Sequence, residues 1–325
     1  MWGKLICAKL ICGLGGLVLY HLVKRHFFED DVDSSALFAV ARRLEKLHQG
    51  CKVYVGLRIP DPDSASRRDI DIVLVTNQDA VVISVKNVSG IVSIGEENNW
   101  VAKNHITEHL PDPVAETKQL VPILEGYLKQ RGVSLPQEYL SFKVICPNPS
   151  FRSGNSDVFP PEVITYDQWI QLKPEQRSLY SEWIKGPLLG WKKEPFSEKL
   201  NSVLSTAPIW DRLELKDKKY ILGEFIEFKG KQDDLKALGT IKRSKVSLLT
   251  IKKTIMIKFG HMMVQVQVLF TPRDYRVEGI EGPSSSSGWD EVNVTSNTQI
   301  VFQPQNSKKP RKYKLSSVVS MLLSG

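Results

Sequence analysis

Two short apolar runs in the first third of the chain flank a polar, turn-like segment. The runs occupy residues 70–75 and 81–85. Apolar runs of this length on either side of a turn predict a β-hairpin. The first strand opens with the carboxylates Asp69 and Asp71, and Lys86 follows the second. The hairpin therefore combines acidic and basic side chains.

The pattern around this hairpin predicts alternating helices and strands. Residues 36–48 carry apolar positions at helical spacing, and Asp112-Pro113 marks the start of a helix that we expect to reach residue 131. Further strands are predicted at residues 52–59, 90–102 (a pair) and 142–146. This order indicates an α/β layer architecture, and residues 104–110 are expected to form a loop.

The second half of the chain has a different pattern. From about residue 197 most predicted elements are strands, including residues 220–228, 247–253 and 264–270. We therefore expect a β-rich C-terminal domain at 197–325, with a small closed barrel as one arrangement, and an α/β domain at 29–196.

An apolar segment at residues 5–23 predicts an N-terminal membrane anchor within 1–28. A spanning helix needs about 20 apolar residues, and Lys9 is near enough to one end to reach the interface. A cleaved signal peptide and a buried soluble helix are alternatives. The bulky residues after the apolar core disfavour cleavage. Asn87 and Asn293 lie in glycosylation sequons, and a glycan beside Lys86 would obstruct the hairpin, which favours a cytosolic body.

The charge balance changes the expected partners. The formal net charge is +8, which suits an anionic partner such as nucleic acid or an acidic membrane surface. The four cysteines show neither a disulfide framework nor zinc spacing. A reducing compartment is the simpler interpretation.

The hairpin residues could support phosphate chemistry. Strand alternation predicts that Asp69 and Asp71 share one face, and that Ser84 and Lys86 share one on the partner strand. Carboxylate oxygens bind Mg²⁺ or Mn²⁺, and such an ion can polarise a phosphodiester and activate water. The lysine could neutralise charge that develops on the phosphate.

At these residues the sequence resembles the NERD family, the nuclease-related domain of the PD-(D/E)XK nuclease group. The resemblance spans roughly residues 34–150. It rests on a set of motifs in the family's order: Arg68-Asp69-Ile70-Asp71, the segment from Val82 to Asn87 with Gly90 after it, Trp100, and Asp112-Pro113-Val114-Ala115-Glu116. It implies an αβββαβ core and a role in nucleic-acid processing.

The resemblance also implies roles for individual residues. Asp71 matches the family's metal-binding aspartate, with Asp69 beside it, and Lys86 matches the lysine of the E-x-K motif. Ser84 departs from the pattern, because the family usually carries glutamate there. Glu116 stands where the family tends to have glutamine, and could act as a migrated acid.

Three interpretations of the hairpin stay open. It could be a working nuclease site that uses Asp71, Lys86 and Glu116. It could be an attenuated or non-catalytic derivative, because a neutral serine hydroxyl should weaken magnesium binding considerably. It could also belong to an unrelated fold in which Asp69, Asp71 and Lys86 form an ordinary cross-strand ion pair.

Two basic groups in the C-terminal half are candidate phosphate contacts. Their residues are Lys242, Arg243, Lys245, Lys309, Arg311 and Lys312. Solvated loops and a lysine-protected sheet edge are the structural alternative. The sequence thus favours an anchored protein with a NERD-like domain that binds nucleic acid or another polyanion, with weak or absent metal-dependent phosphodiesterase activity. A non-catalytic scaffold at a membrane is the alternative.

Overall fold

The computed structural model describes residues 33–61, 64, 66–154, 159–174, 193–258, 261–272 and 289–325. The predicted anchor at residues 5–23 lies outside them. Among the described residues, no helix is long and apolar enough to cross a membrane.

The first half of the described chain contains a mixed sheet between helices. The helices are α1 (Ser35–Leu47), α2 (Pro113–Gln130), α3 (Tyr166–Gln171) and α4 (Lys193–Ser205). The strands are β1 (Lys52–Pro60), β2 (Arg67–Val75), β3 (Ala80–Val85), β7 (Leu140–Ile145) and β9 (Val163–Ile164), and they pair in the order β1-β2-β3-β7-β9. The predicted hairpin is confirmed as the antiparallel pair β2–β3.

The helices cover both faces of this sheet. On one face, Leu124 of α2 and Leu200 of α4 pack with Val73 and Val82. On the other face, Leu44 of α1 packs with Ile83. The apolar positions of α1 thus form one buried stripe. The predicted domain boundary at residue 196 falls inside α4.

A small second sheet lies beside the first. Its strands are β4 (Gly90–Ile94), β5 (Trp100–Lys103), β6 (Thr107–Leu110) and β8 (Phe151–Ser153), in the order β6-β5-β4-β8. The predicted loop at 104–110 is wrong, because β6 pairs with β5 there. Gly90 has a φ of +94°, and a Cβ atom at this position would lie 2.3 Å from the Lys103 carbonyl oxygen. Only glycine fits where β4 approaches β5 so closely.

The C-terminal half forms an eight-stranded antiparallel sheet and one short helix, α5 (Gln232–Leu238). The strands are β10 (Asp211–Leu215), β11 (Tyr220–Lys229), β12 (Val246–Lys258), β13 (His261–Pro272), β14 (Asp290–Thr295), β15 (Gln299–Pro304), β16 (Arg311–Lys314) and β17 (Val318–Leu322). Their order is β14-β13-β12-β17-β10-β11-β15-β16. Within the described residues β14 and β16 do not pair, so the sheet is open rather than a closed barrel. The β-rich character is as predicted.

The two halves meet along β1. The Arg58 N–H donates to the Pro208 carbonyl at 2.7 Å, and the Trp210 N–H donates to the Gly56 carbonyl at 3.0 Å. The Arg58 guanidinium lies 2.6 Å from Glu224 of β11 and stacks on the Trp210 ring, 3.6 Å from its centroid. The eight-stranded sheet therefore lies directly against the strand that pairs with β2.

Candidate functional site

The acidic end of β2 departs from regular strand geometry. Ile70 packs in the core beneath α2, whereas Ile72 packs in the core beneath α1. In a regular strand these two side chains would share a face. Gly56 of the partner strand lies between the residues paired with Ile70 and Ile72 and has a φ of +70°, which accommodates the change of face.

This irregularity separates the partners of the two candidate carboxylates. Asp71 accepts the backbone N–H of Val85 at 2.8 Å. Asp69 instead accepts the Nε2–H of Gln305 at 3.2 Å, from the loop that follows β15. The alternation behind the predicted common face therefore fails, and Asp69 takes part in the contact between the two halves of the chain.

Lys86 stands beside Asp71 at the end of β3. Its backbone N–H donates to the Ile145 carbonyl at 2.9 Å, so the parallel pairing with β7 fixes its position. Its ammonium lies 3.1 Å from Glu116 Oε2. Glu116 is in the first turn of α2, and the Asp112 carboxylate caps that helix by accepting the N–H groups of Val114 and Ala115. Two sheet strands and a capped helix thus bring Asp71, Lys86 and Glu116 to one place.

Ser84 occupies the position two residues before Lys86 and is buried, with 7% of its surface exposed. It brings a hydroxyl where a carboxylate would add negative charge. The groups around Asp71 therefore offset the cost of burying its negative charge only in part. Burial raises the pKa of Asp71, the Val85 N–H and the Lys86 charge oppose the rise, and Asp69 adds to it.

A divalent ion does not fit these side chains well. Among the described residues, no group of three or more His, Cys, Asp or Glu side chains could hold a metal. One oxygen of Asp71 already accepts a backbone N–H, Glu116 is paired with Lys86, and Ser84 is neutral. Hard cations prefer several oxygen ligands with negative charge. The residues present therefore lack the donor set for a resident Mg²⁺ or Mn²⁺.

Comparison with family models gives a match for this segment. Residues 33–145 match the model of the nuclease-related domain, NERD. The resemblance read from the hairpin is therefore confirmed. NERD belongs to the PD-(D/E)XK group, and the match covers under half of the chain. Comparison with curated proteins and with solved structures gives no match.

The NERD segment contains α1, β1, β2, β3, α2 and β7 in the αβββαβ order that the family implies, with β4 to β6 of the second sheet between β3 and α2. Trp100 is 1% exposed and packs against Val92 and Val144, which gives this motif residue a core role. Cys146 belongs to the same cluster, and burial raises the pKa of its thiol to about 12 against the opposing charge of Lys86. Cys146 therefore stays a thiol and packs as an apolar residue.

The basic candidates of the C-terminal half have two kinds of environment. Lys242, Lys245, Lys309 and Lys312 are exposed. Arg243 instead forms an ion pair with Asp211, whose side chain is fully buried, and its guanidinium also donates to the Phe225 carbonyl at 3.3 Å. Arg243 has a structural partner that sequence reasoning missed, because 32 residues separate it from Asp211.

Proposed function

We propose that this chain is a membrane-anchored protein whose NERD domain binds nucleic acid or another polyanion with strongly reduced or absent metal-dependent phosphodiesterase activity. The match to a nuclease-related domain supports the phosphate-related class of partner. The observation that carries the reduced activity is the set of contacts around Lys86. Its ammonium is paired with Glu116 and stands beside Asp71, while the position for a second acid holds Ser84.

The surface charge supports the polyanion. The net charge is +8, and exposed lysines lie in both basic groups, at Lys242, Lys245, Lys309 and Lys312. The second group follows Gln305, which contacts Asp69 of the NERD domain. Phosphate contacts made by such lysines would release counterions and make binding depend on salt.

The membrane part of the proposal rests on residues 5–23, whose apolar length suits a spanning helix. We propose a single N-terminal anchor with the body in the cytosol. Fractionation of the full-length chain followed by protease protection tests this. A body that is digested in intact membranes supports the proposal, and a protected, glycosylated body contradicts it.

Binding is tested with the full-length chain in detergent and labelled single- and double-stranded DNA and RNA. We expect fluorescence anisotropy to show binding at low salt. The logarithm of the binding constant should fall linearly as the logarithm of the salt concentration rises. The double variant K309A/K312A should weaken binding to every sequence alike and lower the salt slope by about 2. The variant K236A, at an exposed lysine of α5, is the matched control. Absence of binding at low salt would contradict the proposal.

A further inference from the structure

A cleft lies where the NERD domain meets the eight-stranded sheet, away from the Asp71–Lys86 hairpin end. Its volume is about 480 Å³, and its walls come from α1, β1, β10 and β11. Clefts of a few hundred cubic ångströms at domain boundaries are common small-molecule sites. The charged and aromatic side chains that line this cleft include Phe38, Arg42, Lys52, Arg212, Glu214 and Tyr220.

The cleft contains a stack of two guanidinium groups and two aromatic rings. The Arg212 guanidinium lies 5.3 Å from the Phe38 ring centroid, and the Phe38 and Tyr220 rings are 4.7 Å apart. Arg42 lies 5.6 Å from the Tyr220 centroid. A guanidinium that stacks through its face keeps the N–H groups along its edge available for a planar anion.

In the part of the chain that the structure describes, no carboxylate forms an ion pair with Arg212. Arg212 is partly buried. Glu214, the acid that interacts electrostatically with Arg212, accepts the Tyr220 hydroxyl at 3.1 Å and the Ser320 hydroxyl at 2.7 Å through its two oxygens. Burial lowers the pKa of Arg212, while Glu214 and Tyr220 oppose the change.

The remaining charges also favour an anion. Arg42 and Lys52 add two cationic groups to the cleft, and Glu45 adds one carboxylate. With Arg212 and Glu214 included, three cations face two carboxylates, and both oxygens of Glu214 already have hydroxyl partners. A partly buried cation with no ion-pair partner among the described residues is costly, so an incoming anion would relieve that cost while its apolar part covers the exposed part of the Tyr220 ring.

We propose that this cleft binds a small ligand in which one anionic group, a phosphate or a carboxylate, is joined to a flat apolar body. The anion accepts hydrogen bonds from the edge of Arg212, with Arg42 and Lys52 contributing charge. The flat body packs against the partly exposed ring of Tyr220. Binding here is independent of nucleic-acid binding by the NERD domain.

The test is isothermal titration calorimetry of the full-length chain in detergent with two anionic probes that share one flat body, 2-naphthyl phosphate and 2-naphthoate. 2-Naphthol is the uncharged counterpart of both. We expect at least one anion to bind at submillimolar concentration and its counterpart to bind at least about tenfold more weakly, since a charge-assisted hydrogen bond contributes at least that factor. Preference for one anion distinguishes phosphate from carboxylate.

Variants connect binding to the cleft. R212Q should weaken the binding anion by about tenfold or more, and R212K should retain more affinity than R212Q. R42Q changes an exposed position and gives a second measurement if R212Q does not fold. K46Q, on an exposed residue of the same helix, is the control and should bind like the wild type. The proposal is overturned if neither anion binds at millimolar concentration, if the uncharged counterpart binds equally well, or if R212Q and R42Q both bind normally.

Discussion

Two aspartates at strand positions, Asp71 in the NERD domain and Asp211 in the eight-stranded sheet, have very different surroundings. Asp211 is fully enclosed and accepts the N–H groups of Phe225 and Ser324, both at 2.7 Å, as well as the Arg243 guanidinium. Asp71 accepts one backbone N–H, from Val85. The first carboxylate joins three separate segments of its half of the chain, whereas the second accepts a single hydrogen bond from the described residues.

The two environments show how a carboxylate that stabilises the fold differs from one that belongs to a candidate functional site. A buried carboxylate that holds a fold together has its acceptor positions filled. Burial raises the pKa of Asp71 because its partners compensate incompletely, which is typical of residues at functional sites. Asp71 therefore lowers stability slightly when it is ionised, and Asp211 stabilises the sheet.

The largest effect is expected at Asp211. D211A leaves two backbone N–H groups and the Arg243 guanidinium without their acceptor, so we expect a loss of about 3–5 kcal/mol in the free energy of unfolding. Urea denaturation followed by circular dichroism measures it. D217A, at an exposed aspartate of the β10–β11 turn, is the control and should change stability by about 0.5 kcal/mol or less. If D211A lowered the free energy of unfolding no more than D217A does, the contrast between Asp211 and Asp71 would be contradicted.

A smaller effect of opposite sign is expected at Asp71. Since the folded-state pKa of Asp71 lies above its ordinary value of 3.8, ionisation costs stability as pH rises from that value through the folded pKa. The cost is absent below 3.8 and is complete above the folded pKa. D71N removes it while keeping an acceptor for the Val85 N–H, so stability at pH 7 should rise by on the order of 1 kcal/mol.

The pH dependence sharpens this prediction. The advantage of D71N over the wild type should shrink as pH falls toward 4, and D217N should show no such trend. Urea denaturation at several pH values measures both variants. A D71N protein that is less stable than the wild type at pH 7 would place Asp71 in the same structural role as Asp211.

The smallest change in stability is expected at Glu116. Its ion pair with Lys86 is partly exposed, with 25% of the Lys86 side chain and 47% of the Glu116 side chain accessible, so E116Q should cost about 0–1 kcal/mol. The same variant removes a negative charge beside Lys86 and should strengthen polyanion binding at low salt. E125Q, at an exposed residue of the same helix, is the control for both measurements. Equal effects of E116Q and E125Q on binding would show that Lys86 does not face the polyanion.

Local patterns predicted much of the NERD fold. The β2–β3 hairpin follows from two apolar runs and a polar turn, and α2 begins where its aspartate cap and proline predict. Local patterns also predict where the three site residues stand. Asp71 lies near the start of the first predicted strand, Lys86 directly follows the second, and Glu116 is in the first turn of the predicted helix.

Features that depend on distant pairing were not predictable. The short strand β6 forms because β5 offers it an edge, although its own sequence reads as loop. The change of face between Ile70 and Ile72 depends on the backbone of Gly56 in the neighbouring strand. Asp69 meets Gln305 across 236 residues, and the cleft around Arg212 exists only where the two halves of the chain meet.

Cleavage by the full-length chain is the decisive measurement for the proposed reduction or loss of nuclease activity. Single- and double-stranded DNA and RNA are incubated with the wild type, D71N and K86A in Mg²⁺ or Mn²⁺, and binding is measured in parallel. We expect salt-dependent binding and, at most, weak cleavage that is no greater for the wild type than for the two variants. Efficient metal-dependent cleavage by the wild type that both substitutions abolish would contradict it, and would show that Asp71 and Lys86 form a working nuclease site despite Ser84.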